Sequence, residues 1–291
     1  MKNTYPNLID MHMHTVASDG TDTPEELIRA VKDAGIGLFS VTDHDALKSC
    51  VRIGELLGDN DPVFVNGVEF SCRDEYGKYH ILGYGYDLNA KPILDVVEYT
   101  HNLRMQKVQK RLAALADSFR ISFPEEEVEK LLSLNNPGKP HIGNLMVKYG
   151  FAKNREEAIE QFLNKIKIKG TTAIPPEDAI EAITASGGIP VLAHPIYGDG
   201  SQLLDDTELT RRISVLMRYG LRGLECYYSG FTPKEQKIML SYADRFDLLV
   251  SAGSDYHGKN KMIFLGDTNL ENTNDADIHL HRLIDELCAR S

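Results

Sequence analysis

At 291 residues, with 42% hydrophobic and 26% charged positions, the chain has a globular composition and the length of a (β/α) barrel carrying an insertion. No apolar run approaches the roughly 18 residues of a membrane span, and the start lacks the charged-then-apolar order of a secretory leader, so a soluble cytoplasmic protein with no membrane partner is expected. The net charge of −11 argues against a polyanionic partner for the chain as a whole, yet residues 99–172 hold 13 Lys+Arg against 8 Asp+Glu; the acidic remainder calls for cations and the basic stretch for anions.

In chain order, short apolar strands alternate with amphipathic helices through the first half, a pattern of parallel sheets and barrels rather than of antiparallel sandwiches. Strands are predicted at 7–14, 37–42, 62–70 and 79–86. The first helix has a well-marked start: Thr23 as N-cap, Pro24 at the first helical position, and Glu26 completing a capping box, with Ala34-Gly35 as the stop. From about residue 91 helices follow one another without a strand, at 93–118, 125–134, 141–149 and 155–165, which reads as an all-helical insertion. Alternation resumes with helix 176–186, strand 189–193, helix 205–219, strand 223–228, helix 233–245, strand 248–252 and helix 275–289. The expected division is a barrel from residues 1–98 and 173–291, about seven strands in all, interrupted by the insertion at 99–172. Cys50, Cys72, Cys226 and Cys288 are far apart and form no Cys-x-x-Cys pair, so buried or inert thiols are expected rather than a disulfide framework or zinc ribbon.

The chemistry-bearing residues gather where strands end. In Asp10-Met11-His12-Met13-His14 the alternation of a strand puts His12 and His14 on one face, where both imidazoles reach one ion. His279 and His281 have the same spacing but fall in a predicted helix, where positions two apart face away from each other, and are expected on the surface. Asp43 and His44 end the second strand, Glu69 ends the third, His80 begins the fourth, His194 ends the next, Asp255 and His257 follow the last, and Asp19 lies in the loop after the first. Each of these alone is as well explained as a capping acid, a core histidine or a turn residue. Together they would place carboxylates against one another on the rim where barrel chemistry is built, an arrangement that needs cations to be stable. Mixed imidazole and carboxylate donors suit zinc, iron or manganese better than magnesium or calcium.

Four stretches, Asp10-Met11-His12-Met13-His14, Thr42-Asp43-His44, Ala193-His194-Pro195 and Gly253-Ser254-Asp255-Tyr256-His257, resemble those of the PHP family, the polymerase and histidinol phosphatase superfamily of metal-dependent phosphoesterases. The resemblance implies an α/β fold, a distorted (β/α)7 barrel, holding two or three divalent ions (Mn, Fe or Zn). Carried over by position, His12, His14, Glu69 and Asp255 surround a first ion, Glu69, His80 and His194 a second, and Asp19, His44 and His257 a third, with Glu69 bridging. Asp43, beside His44, is expected to orient an imidazole or a loop. The implied reaction is hydroxide attack on phosphorus without a covalent enzyme intermediate, with Glu69 central and His141 or a water protonating the leaving oxygen.

The insertion resembles that of the PHP subgroup which removes phosphate from nucleoside 3',5'-bisphosphates and trims short RNA from its 5' end. That subgroup has an Arg-Pro-His signature; here Lys139-Pro140-His141 stands instead, keeping the charge but losing the bidentate fork. Arg104, Lys107 and Arg111 share a helix face suited to a phosphate or nucleotide, although a solvated face explains the spacing as well. Arg104, Lys107, Lys139 and His141 are thus the candidate substrate contacts. The expected partner is a small phosphorylated nucleotide or short oligonucleotide, with no surface for long nucleic acid and no obligate protein partner. Competing readings are another small monoester such as histidinol phosphate, a DNA 3' end, an amidohydrolase-like C–N hydrolase, or a non-enzymatic metal-binding module. Glu69, rather than a strand-end lysine, at the bridging position disfavours the C–N hydrolase.

Overall fold

The computed structural model describes residues 5–134, 136–168, 173–197 and 203–289. Seven strands run in sequence order through one sheet: β1 (Ile9–Asp10), β2 (Leu38–Val41), β3 (Val63–Arg73), β4 (Lys78–Tyr84), β5 (Ile189–Leu192), β6 (Gly223–Tyr228) and β7 (Leu249–Gly253). The helices are α1 (Pro24–Asp33), α2 (Lys48–Leu56), α3 (Lys91–Phe119), α4 (Glu125–Leu132), α5 (Lys139–Lys148), α6 (Arg155–Ala158), α7 (Pro176–Ala185), α8 (Asp206–Tyr219), α9 (Pro233–Phe246) and α10 (Ile278–Cys288). The chain divides into two compact units, Met1–Val97 with Ile174–Ser291, and Glu98–Ala173. The boundary expected at residue 172 falls among residues 169–172, outside those described.

In the first unit the sheet curls until its edges meet. The Met11 N–H donates to Ala252 O at 2.8 Å, and Met13 pairs in parallel with Tyr256, so the seven strands form a nearly closed barrel. β2, β5 and β7 are buried at every residue, which is why they read as continuous apolar runs. Not all strands are parallel: β4 runs antiparallel to both β3 and β5. The link from β3 to β4 is only the turn 74–77, too short for the crossover that a parallel neighbour requires. Asp74 Oδ1 closes that turn by accepting the N–H groups of Tyr76 (2.8 Å) and Gly77 (3.1 Å).

Side chains explain the element ends. Thr23 and Glu26 form the expected capping box on α1, and Thr232 with Glu235 repeats it on α9. β1 is shorter than expected, because the His12 N–H turns to the Asp10 carboxylate at 3.3 Å. α2 was not anticipated: its N-cap, Leu47, makes no side-chain hydrogen bond, so the usual start signal is absent. His279 is buried rather than on the surface, since α10 lays His279, Leu280, Leu283 and Leu287 along its buried face. His281 is half-buried, stacked on Tyr5 and 2.8 Å from Thr273 O. Cys50, Cys72 and Cys226 are buried free thiols, whereas Cys288 is exposed.

The second unit is helical. Val108 and Leu115 of α3 pack with Ile121, Leu131, Ile142, Met146, Ala158 and Leu163. Arg111, expected on an exposed basic face, is instead buried; it lies one helical turn from both Val108 and Leu115 and shares their face. Among the described residues no helix is long and apolar enough to cross a membrane.

Candidate metal centre

All nine candidate ligands meet at one end of the barrel. His12 and His14 follow β1, His44 follows β2, Glu69 lies within β3, His194 follows β5, and Asp255 and His257 follow β7. His80 stands near the start of β4; because β4 runs against its neighbours, its beginning lies at the rim where the other strands end.

Glu69 is the hub. Its Oε2 lies 3.3 Å from His12 Nε2, 3.2 Å from His14 Nε2 and 3.1 Å from His44 Nδ1. Its Oε1 faces the other way, 2.8 Å from His80 Nδ1 and 3.4 Å from His194 Nε2. Asp255 Oδ1 approaches His14 Nε2 at 3.4 Å and His12 Nε2 at 3.6 Å. Asp19 Oδ1 lies 3.2 Å from His257 Nε2 and 3.7 Å from His14 Nδ1, while its Oδ2 is 4.0 Å from His44 Nε2. Three groups have donor atoms close enough to share an ion: His12, His14 and Glu69; His44, Glu69 and His80; and His14, Asp19, His44 and His257.

The electrostatics are those of a site made for cations. Burial lowers the His44 pKa to about 4 and also lowers that of His257. At His14 burial pulls the same way, but the Asp255 and Glu69 carboxylates outweigh it and lift the pKa to about 9. Burial opposes ionisation of Glu69, yet the His44, His80 and His12 imidazoles hold it well below the usual carboxylate range. The buried Nε2 atoms of His12 and His14 make no hydrogen bond of sound geometry among the described residues. Two imidazole nitrogens converging with two carboxylates without well-formed hydrogen bonds fit divalent metal ions, which would take the place of any proton on the imidazoles.

Behind the ligands stand three further carboxylates: Glu225 and Asp10, for which no role was expected, and Asp43, expected to orient an imidazole or a loop. Glu225 of β6 is fully buried; its Oε1 is 2.8 Å from His12 Nδ1, and its Oε2 accepts the His194 N–H at 2.8 Å. His194 (φ +31°) and Asp255 (φ +61°) both adopt left-handed backbone, a costly conformation that needs such anchoring. Asp10 accepts N–H groups from His12, Ser254 and Gly266, tying the ends of β1 and β7 together; burial raises its pKa to about 6. Asp43 accepts from Thr15 N–H (2.8 Å), Thr15 Oγ1 (2.7 Å) and Ser18 Oγ (2.6 Å), so it holds the loop that carries Asp19. A lone acid inside the apolar strand 223–228 was the available signal for Glu225.

The cluster opens into a cavity of about 380 Å³, also lined by Lys78, Tyr197, Tyr228 and Lys261. Lys261 Nζ and the Tyr228 hydroxyl both donate to Asp255 Oδ2, at 2.6 and 3.0 Å. The candidate substrate residues Arg104, Lys107, Lys139 and His141 belong to the helical unit. Arg104 and Lys107 are half-buried. Lys139 Nζ donates to Asn164 Oδ1, and His141 Nδ1 accepts the Gly138 N–H at 3.2 Å, which makes it a helix-start residue of α5.

Known proteins resemble the chain over most of its length. Residues 10–172 match the family described as the PHP domain. The chain is 27% identical over 269 residues to the 5'-3' exoribonuclease Rnm of Escherichia coli, covering 90% of this chain and 89% of that protein. It is 29% identical over 262 residues to a phosphoribosyl 1,2-cyclic phosphate 1,2-diphosphodiesterase of Eggerthella lenta (86% and 94% covered). It is 25% identical over 256 residues to a 3',5'-nucleoside bisphosphate phosphatase of Chromobacterium violaceum (86% and 87% covered). A crystal structure described as a metal-dependent phosphoesterase of Bifidobacterium adolescentis superposes with a TM-score of 0.80 at 27% identity, over 99% of this chain and 98% of that one. With more than half its length inside the family match and a histidine–carboxylate rim built to hold cations, the chain belongs to the PHP family and is a metal-dependent phosphoesterase.

Proposed function

We propose that the protein releases the 3'-phosphate from nucleoside 3',5'-bisphosphates and trims short 5'-phosphorylated RNA. The observation that carries the reading is Glu69, a buried carboxylate whose two oxygens face two different sets of histidines, so that one side chain would serve more than one cation, as metal-assisted phosphoryl chemistry uses. In this reading His12, His14, Glu69 and Asp255 would hold one ion, Glu69, His80 and His194 a second, and Asp19, His44 and His257 a third, with manganese, iron or zinc as the metals. When bound, the ions supply a low-pKa water for attack and charge to neutralise the phosphate oxygens.

The chain's own residues then have distinct tasks. Glu225 orients the His12 ring and pins the His194 backbone. Lys261 and Tyr228 hold Asp255 Oδ2, leaving Oδ1 toward the histidines. His141 accepts the Gly138 N–H on Nδ1, so its neutral form carries the proton on Nε2, the nitrogen that would donate to a leaving oxygen. Arg104, Lys107 and Lys139 are the substrate-binding cations of the helical unit in this account.

The names of the bisphosphate phosphatase and exoribonuclease relatives support the substrate choice. The test is phosphate release by metal-loaded protein across a panel of adenosine 3',5'-bisphosphate, AMP, histidinol phosphate, phosphoribosyl 1,2-cyclic phosphate and 5'-phosphorylated oligonucleotides. Highest kcat/KM on the bisphosphate is expected. Preference for the cyclic phosphate or for histidinol phosphate would replace the proposal, and no turnover of any phosphoester would overturn it.

A further inference from the structure

We propose that the barrel unit holds a second, non-reacting phosphate of the substrate, gripped by the ammonium groups of Lys78 and Lys261. The inference rests on the phosphoesterase reading above and adds which group of the substrate the barrel recognises. Both lysines line the cavity that contains Glu69, His80, His194 and Asp255, and all of these residues belong to one compact unit.

Strand alternation fixes the direction of Lys78. It lies two residues before His80 on β4 and so shares its face, and His80 Nδ1 reaches Glu69 Oε1 at 2.8 Å. Lys78 therefore stands one pleat repeat, about 7 Å, farther along the strand on the side of the ligands. Its backbone is held firmly: the Asp74 turn precedes it, and the buried Arg212 of α8 donates to Tyr76 O and to Lys78 O. Yet among the described residues Lys78 Nζ has neither an ion pair nor a hydrogen bond, in a chain where 43 acids face 32 bases. An unpartnered ammonium facing a cavity fits an anionic group.

Lys261 approaches the same cavity from the loop after β7. One of its three donors is taken by Asp255 Oδ2, which anchors the side chain at the rim and leaves the others for a ligand. The Asp255 oxygen keeps the Tyr228 hydroxyl as a second donor, so engaging Lys261 with an anion does not strip the carboxylate of its support. At about 380 Å³ the cavity has room for more than one phosphate. Tyr197 and Tyr228, which also line the cavity with ring centroids 6.2 Å apart, offer aromatic surface for a sugar or base.

The experiment compares kcat/KM for adenosine 3',5'-bisphosphate and for 3'-AMP, which share the scissile bond, in the metal-loaded wild type, Lys78→Gln and Lys261→Gln, with metal content measured in each. The preference for the bisphosphate is expected to fall about tenfold per lysine, the loss typical of a charge-assisted contact, and Lys78→Arg should keep most of it. Equal losses on both substrates, or an unchanged preference, would overturn the subsite. If the wild type cleaves neither substrate, the proposed function fails on its own. Calorimetric binding of adenosine 3',5'-bisphosphate then decides: about tenfold weaker binding to Lys78→Gln supports the subsite, whereas equal or absent binding in wild type and variant rejects it.

Discussion

Glu225 Oε1 lies 2.8 Å from Nδ1 of His12, and both side chains are fully buried. The other Glu225 oxygen holds the His194 N–H at 2.8 Å, so one carboxylate supports candidate ligands of two of the proposed metal positions. Glu225→Gln presents one acceptor and one amide donor to two donors, and cannot satisfy both. Metal affinity should fall about 10–100-fold at both positions, read as metal content after dialysis. Full retention of metal would remove Glu225 from the account.

Asp43 gives a prediction about stability rather than chemistry. It accepts three hydrogen bonds from Thr15 and Ser18 in a buried setting, and Asp43→Ala leaves those donors unsatisfied. A loss of about 2–4 kcal/mol is expected, seen as a fall of several degrees in Tm, together with weaker metal binding as the Asp19 loop loosens. An unchanged Tm would contradict the anchoring role.

Metal loading should release protons. In the metal-free chain the His14 pKa is raised from 6.5 to about 9 by neighbouring carboxylates. The stabilisation from that pairing is complete below 6.5 and is lost as pH rises through 9. An ion needs the neutral imidazole, so below pH 9 its binding displaces the proton, and affinity weakens as pH falls. At pH 7.5 a weakly buffered titration with Mn or Zn should release at least one proton per chain, and the Tm of the metal-free protein should drop between pH 7 and 10. Metal uptake without proton release would rule out His14 as a ligand.

The helical unit supplies a kinetic test. If Arg104 and Lys139 contact substrate, Arg104→Ala and Lys139→Ala should raise KM for phosphorylated nucleotides severalfold while kcat changes little, because binding common to ground and transition states is lost. Unchanged KM would leave Lys139 as the partner of Asn164 seen in the structure and Arg104 as a structural helix residue.

Much of this architecture was legible because the relevant signals are local. The Thr23–Glu26 capping box marks α1 directly, and the histidines and acids at strand ends need only the barrel rim to be brought together. Signals that depend on tertiary partners were not legible. Lys78 lies just before the predicted strand 79–86 and belongs to no motif; only the antiparallel course of β4 carries that end of the strand to the site. Arg111 looks like part of a basic face by spacing with Arg104 and Lys107, but the same helix geometry sets it between Val108 and Leu115 of the helical core. Glu225 needed the fold to show that a buried acid in β6 reaches both His12 and His194.

The central claim, that Glu69 unites a multi-metal phosphoesterase site, is tested most directly by elemental analysis of wild type and Glu69→Gln alongside phosphate release from adenosine 3',5'-bisphosphate. Wild type should carry two or three equivalents of Mn, Fe or Zn per chain and turn the substrate over, and the variant should lose most of both. A protein stripped of metal that remains fully active, or a Glu69→Gln variant that keeps its metal and its rate, would contradict the account.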